Sequence, residues 1–131
     1  MNHERKLDKL NEACKMVNQM NRAFRGVYAD ALRTIKLGSI PSEKGMPERN
    51  PVDDLESLVA IELPEFSNEC QRLHQSRNDL GRLLTDAVMA TSIDRTLKAP
   101  SEEDLRIELE RAEAAVDDFL KKAYATVRTL Q

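Results

Sequence analysis

The sequence predicts an all-α protein, an antiparallel bundle of three long helices with heptad patterning and one short helix. Composition is the first reason, because a chain of 131 residues with only 4 glycines and 5 prolines has few turn formers and favours long helices. Periodicity is the second, because apolar residues recur at alternating steps of three and four, as on the buried seam of a coiled coil. At this length we expect one helical-bundle domain, residues 1–131.

The first helix is predicted over about 4–38, where the heptad pattern runs without a break. Gly38 stands where a helix commonly ends in a left-handed glycine, so it marks the end of this helix. The helix carries two seams. The first is Leu7, Cys14, Asn21, Tyr28 and Ile35, in which Asn21 is polar. The second is Leu10, Val17, Phe24 and Ala31.

A loop and a short helix are predicted next. Residues 39–50 contain two prolines and a glycine, which is typical of a connecting loop. Asn50 followed by Pro51 matches an N-cap residue and a first helical position. We therefore expect a short helix over about 52–62.

Pro64 decides how the short helix continues. Proline removes a backbone donor and clashes one turn back, so the helix either kinks there or ends and a new one begins. We favour a new helix over about 64–97, because its length then matches the first and last helices. Its apolar positions at helical spacing are Phe66, Cys70, Leu73, Leu80, Leu84, Ala87 and Val88.

The last helix is predicted over 101–131. It follows a helix-ending segment at 98–100, whose last residue is a proline. Ser101 and Asp104 resemble a capping box with aspartate in place of glutamate. Three long helices of similar length, joined in this way, predict an up-down-up bundle. The two seams of the last helix are Leu105, Ala112, Phe119 and Thr126, then Leu109, Val116, Ala123 and Leu130.

This arrangement leaves one end of the bundle uncovered. If the first and second helices are antiparallel, the last helix reaches back only to about residue 67, and 24–38 and 52–66 form a two-helix overhang. Such a contiguous apolar surface is not left in water, so either the short helix folds back over it or another chain covers it. We expect a dimer or small oligomer. The predicted interface residues are Tyr28, Leu32, Ile35, Leu55, Leu58, Val59 and Phe66.

One group of residues was tested as a metal site. Cys70 and His74 are four residues apart and share a helix face, and the assumed register brings Cys14 and Tyr124 into the same layer. Zinc requires four ligands, or three and a water, and usually draws on closely spaced cysteine pairs, which the sequence lacks. We expect no metal and no cofactor, with two buried thiols and a histidine that bonds to the tyrosine or to the backbone.

The basic residues Arg22, Arg25, Arg33 and Lys36 form a modest patch on the first helix. The chain has 20 basic and 23 acidic residues and a net charge of −3, so we expect no nucleic-acid partner. These arginines could instead face an anion if the bundle binds a nucleotide or metabolite in a core or inter-subunit cleft. That small-ligand function is the alternative to protein binding.

The sequence favours a protein-binding function. Charged and polar residues interrupt the first 20 positions, unlike a secretory signal, and no apolar run is long enough for a membrane span. Two cysteines do not make a disulfide framework, which favours a reducing, cytoplasmic compartment. We expect a non-enzymatic protein–protein interaction module. Its role would be a self-associating assembly or adaptor component, or a small regulator that docks on a larger complex.

Overall fold

The computed structural model describes residues 3–41 and 51–130, and the predicted all-α bundle is confirmed. Most of the predicted loop, 42–50 with Asn50, lies outside the described residues. A 3-10 turn at Pro64–Phe66 joins the second and third helices. The helices of the described ranges are α1 (His3–Leu37), α2 (Pro51–Glu62), α3 (Ser67–Ser92) and α4 (Glu102–Leu130).

Gly38 ends α1 as the sequence predicts. Its φ of 65° lies in the left-handed region, and its N–H donates to the carbonyl of Thr34 at 3.0 Å. The buried Thr34 hydroxyl lies 2.9 Å from the carbonyl oxygen of Asp30 and 2.8 Å from that of Ser39. Local hydrogen bonds therefore close this helix end and fix the first residues that follow it.

The chain breaks at Pro64 rather than kinking. Leu63 has non-helical angles, φ −134° and ψ 55°, and its side chain is fully buried. The N–H of Phe66 then donates to the carbonyl of Leu63 at 2.9 Å, which tightens the turn. His74 of α3 contacts Glu56 of α2 at 2.5 Å, so the two helices fold against each other as a hairpin.

The turn between α3 and α4 begins earlier than predicted. Helix α3 ends at Ser92, because the carboxylate of Asp94 accepts hydrogen bonds from the N–H and the hydroxyl of Thr96, which favours a turn over another helical residue. The predicted capping box is confirmed. The N–H of Asp104 donates to the Ser101 hydroxyl, and the N–H of Ser101 donates to the Asp104 carboxylate, both at 3.1 Å.

Ion pairs between helices show the direction in which each helix runs. Lys36 pairs with Glu102, and Arg25 pairs with Glu113, so α1 and α4 are antiparallel. Helix α4 is likewise antiparallel to α3, through Arg72 with Asp118 and Lys122 with Glu69. Helices α1 and α3 therefore run parallel, unlike the register assumed from the sequence. The reversal at Pro64 adds one change of direction between them.

Helix α2 lies beside both α1 and α3. Its last residue, Glu62, contacts Arg5 near the start of α1, and Glu56 contacts α3. With 12 residues against 35 in α1, α2 is too short to follow the groove to its far end. The bundle thus has a four-helix half, residues 3–25, 51–81 and 112–130, and a three-helix half, residues 26–41 and 82–111.

The core lies mainly in the four-helix half. Its largest fully buried side chains include Phe66, Phe119 and Met20, and the two phenylalanine rings stack with centroids 5.0 Å apart. Four described residues of the three-helix half are buried, and one of them is a large apolar residue: Leu105, with Ala31, Thr34 and Ala87. No described helix is long and apolar enough to cross a membrane.

Candidate interaction surface

Four of the predicted interface residues lie inside the chain. Leu55, Leu58, Val59 and Phe66 are between 0% and 9% exposed, because α2 folds back over α1 and α3. The uncovered end that motivated their assignment is therefore not present in the described residues. In this conformation these side chains stabilise one copy of the chain and cannot reach a partner.

The other three predicted interface residues lie in the three-helix half. Tyr28, Leu32 and Ile35 are half-buried along α1. Tyr28 lies within electrostatic range of Arg106, a residue of α4. These side chains therefore belong to the sides of the bundle, where neighbouring helices cover part of each one.

A different apolar surface stands at the end of the three-helix half. Gly38 lies against the side chain of Thr91, which brings the segment after α1 beside the last turn of α3. Within the described part of the chain, most of the exposed large apolar side chains gather at this end. We call this surface the apolar end: Leu37 (75% exposed), Ile40 (46%), Met89 (37%), Ile93 (73%) and Leu97 (43%). Contiguous apolar exposure is typical of interaction sites, so the apolar end is the candidate surface.

The backbone that carries the apolar end is held by hydrogen bonds. The N–H groups of Ile93 and Asp94 both donate to the carbonyl of Met89, at 3.0 and 2.9 Å. The N–H of Leu97 donates to the carbonyl of Asp94 at 3.1 Å. The α3 part of the apolar end is therefore presented by a structured turn.

Sequence reasoning missed the apolar end, although a signal for it exists. Leu37 and Ile40 flank the predicted helix-ending Gly38, and Ile93 and Leu97 fall outside the seam of the third helix. Large apolar residues beside turn formers and off the buried seam are the ones that a bundle cannot cover. The heptad pattern identifies seam positions, and most of those are positions that the fold itself buries.

The three arginines of the predicted basic patch do not form one site. Arg25 contacts Glu113 at 3.9 Å, and Arg33 contacts Asp30 at 3.4 Å, so each faces an acidic neighbour. Arg22 lines a shallow depression with other polar residues, and all four lining residues belong to α1: Lys15, Asn18, Gln19 and Arg22. A depression with one wall cannot enclose a small ligand, which normally binds in a concave pocket.

Cys70 and His74 lie four residues apart on α3, and Glu56 of α2 lies near both. His74 Nδ1 lies 2.5 Å from Glu56 Oε1. Burial, and to a lesser degree the charge of Glu56, raises the pKa of the Cys70 thiol to about 11. The thiol is therefore protonated at neutral pH and is not an activated nucleophile, which requires a lowered pKa.

The layer that the sequence suggested for a metal is not assembled. Tyr124 is 52% exposed, and His74 contacts Glu56 rather than Tyr124. Burial raises the pKa of Cys14, which keeps this thiol protonated as well. In residues 3–41 and 51–130, no three histidine, cysteine, aspartate or glutamate side chains come together as a metal site would require.

No protein-family model matches the chain, and no curated protein or solved structure matches it either. The function must therefore be argued from the surface chemistry of the bundle. Among the described residues, the apolar end is a part of that surface where large apolar side chains stay exposed.

Proposed function

We propose that this protein is a non-enzymatic protein–protein interaction module that self-associates through its apolar end. The observation that carries the proposal is the concentration of exposed apolar side chains at one end of the bundle. Leu37 and Ile93 are each about three-quarters exposed, at 75% and 73%. Burying a side chain of this size stabilises a contact by roughly 1.5–3 kcal/mol. These two residues are therefore expected to contribute most of the free energy of association.

The charges around the apolar end favour a second copy as the partner. Segments 36–41 and 86–106 carry four basic and five acidic residues, a near balance: Lys36, Arg95, Lys98 and Arg106 with Asp86, Asp94, Glu102, Glu103 and Asp104. A two-fold contact places one surface against the same surface of another copy. A patch of one sign would repel its copy, whereas a balanced patch allows opposite charges to meet.

Self-association through this end fits an assembly or adaptor component, or a small regulator that docks on a larger complex. The apolar end lies at one extremity of the bundle, so a dimer formed there leaves both four-helix halves free for other contacts. The thiols of Cys14 and Cys70 are free, which supports a reducing compartment such as the cytoplasm. The proposal includes neither a catalytic residue nor a cofactor.

The molar mass in solution tests the proposal. Light scattering of the purified chain at micromolar concentration is expected to show a dimer or small oligomer rather than only a 14.9 kDa species. The double variant Leu37→Asp, Ile93→Asp should be monomeric and keep its helicity, because both side chains are exposed and a charge there stays in water.

Ile61→Asp is the matched control. Ile61 is 76% exposed, as much as Leu37, but it lies on α2 in the four-helix half. This variant should keep the mass of the unmodified protein. A monomeric unmodified protein, or equal dissociation by the control, would overturn the proposal.

A further inference from the structure

We infer that the three-helix half is conditionally ordered: it opens locally in the separated chain and becomes fixed when a second copy covers the apolar end. This inference rests on the proposed function, because the second copy is the partner that does the fixing. Its physical basis is the difference in packing between the halves. The partner would bind only the closed form, so association would suppress the opening.

The core of the three-helix half is thin. Its buried side chains are two alanines, one threonine and one leucine, and none of them belongs to the main apolar cluster of the bundle. Alanine buries little apolar surface, and burial of apolar surface is the main favourable contribution to folding. A segment with few buried apolar contacts opens at a smaller free energy than the rest of the molecule.

The ion pairs that cross between helices do not compensate for this thin core. Lys36 and Glu102 are 3.3 Å apart with side chains 51% and 57% exposed, and pairs in water contribute little. The four-helix half has additional contacts between its helices. There, Lys122 bonds to the backbone of the 3-10 turn and to Glu69, and its ammonium group lies 5.0 Å from the centre of the Phe66 ring.

Covering the apolar end would stabilise the closed three-helix half for a geometric reason. Leu37 is the last residue of α1 and Ile40 follows it, while Ile93 and Leu97 follow α3, so one partner surface would contact both helix ends at once. Opening the half separates those ends and breaks the contact. Association and local order are therefore coupled in this arrangement.

Hydrogen exchange at two concentrations of the unmodified protein tests the inference. Dilution changes the association without changing the sequence, so it avoids variants that could loosen the half directly. Below the association midpoint, amides of 26–37 and 82–92 should exchange at least tenfold faster than above it. Amides of 8–22 and 67–78 should keep their rates within about twofold, since they lie in the four-helix half.

The possible outcomes separate the inference from the function on which it rests. Equal protection of the two halves at both concentrations would overturn the inference and leave self-association standing. Unequal protection that does not respond to dilution of an associating protein would also overturn it, because the coupling would be absent. A monomer at both concentrations would overturn the proposed function, and the coupling with it.

Discussion

The four-helix half and the three-helix half share the same three long helices, yet they bury different side chains. Beside α2 the helices enclose three phenylalanines, a methionine and many leucines, whereas beyond α2 they enclose two alanines, one threonine and one leucine. Six of the eight exposed large apolar residues in the described ranges lie in the three-helix half. A helix of 12 residues thus decides where the bundle has a deep core and where its apolar residues remain on the surface.

The first way to test this comparison is to remove one large core side chain from each half. Phe66→Ala should cost about 3–5 kcal/mol of unfolding free energy, because Phe66 is fully buried and stacks on Phe119. Leu105→Ala, in the three-helix half, should cost about 2 kcal/mol, the low end for a buried leucine. Urea unfolding followed by circular dichroism measures both. Equal losses would contradict the difference in packing.

A smaller effect is expected at Lys122. Its ammonium group donates to the carbonyl of Glu65 and to the carboxylate of Glu69 at 2.8 Å, and it lies beside the Phe66 ring. Lys122→Met should therefore cost about 1–2 kcal/mol. Lys121→Met is the control, since Lys121 is exposed. If both variants lose the same free energy of unfolding in urea, the contacts of Lys122 do not stabilise the four-helix half.

The smallest effect concerns acid. The hydrogen bond from Arg5 holds the pKa of Glu62 below its ordinary value of 4.5, although partial burial opposes this. A carboxyl whose pKa is lowered by folding stabilises the fold above its unfolded pKa and loses this contribution as the pH falls through the folded value. The melting temperatures of the unmodified protein and Glu62→Gln should therefore differ most at pH 6 and converge towards pH 3. A difference that does not change with pH would contradict this role.

Features set by local chemistry were predictable from the sequence. Gly38 ends α1, Ser101 and Asp104 cap α4, and Pro64 starts a new element, because each depends on the backbone preferences of a few neighbouring residues. The heptads also place the long helices correctly to within a few residues. The early end of α3 was not predicted. It depends on a hydrogen bond from the N–H of Thr96 to the short side chain of Asp94, and such local bonds are close in free energy to another helical turn.

Features set by packing between helices were not predictable in the same way. The direction of α3 depends on how the buried Leu63 turns the chain, and no periodicity encodes this direction. Once α1 and α3 run parallel, α2 packs against both, and four of the seven residues that were expected at an interface become buried. The exposed surface then moves to the far end, where Leu37 and Ile93 lie. The candidate site therefore follows from the topology.

An intermolecular distance shows whether two copies meet at their apolar ends. Spin labels would be attached to Lys98→Cys, at the rim of the apolar end, or to Ile61→Cys, at the opposite end of the bundle. Both would use a background with Cys14→Ala and Cys70→Ala. Pulsed electron paramagnetic resonance measures distances up to several tens of ångströms between the two copies.

In a dimer joined through the two apolar ends, the two labels at residue 98 lie within about 30 Å of each other. It places the labels at 61 about 100 Å apart, beyond measurement, since α1 alone spans about 52 Å at 1.5 Å per residue. The account predicts a short distance for the first variant and none for the second. A short distance between labels at 61, or no intermolecular distance at 98, would contradict it.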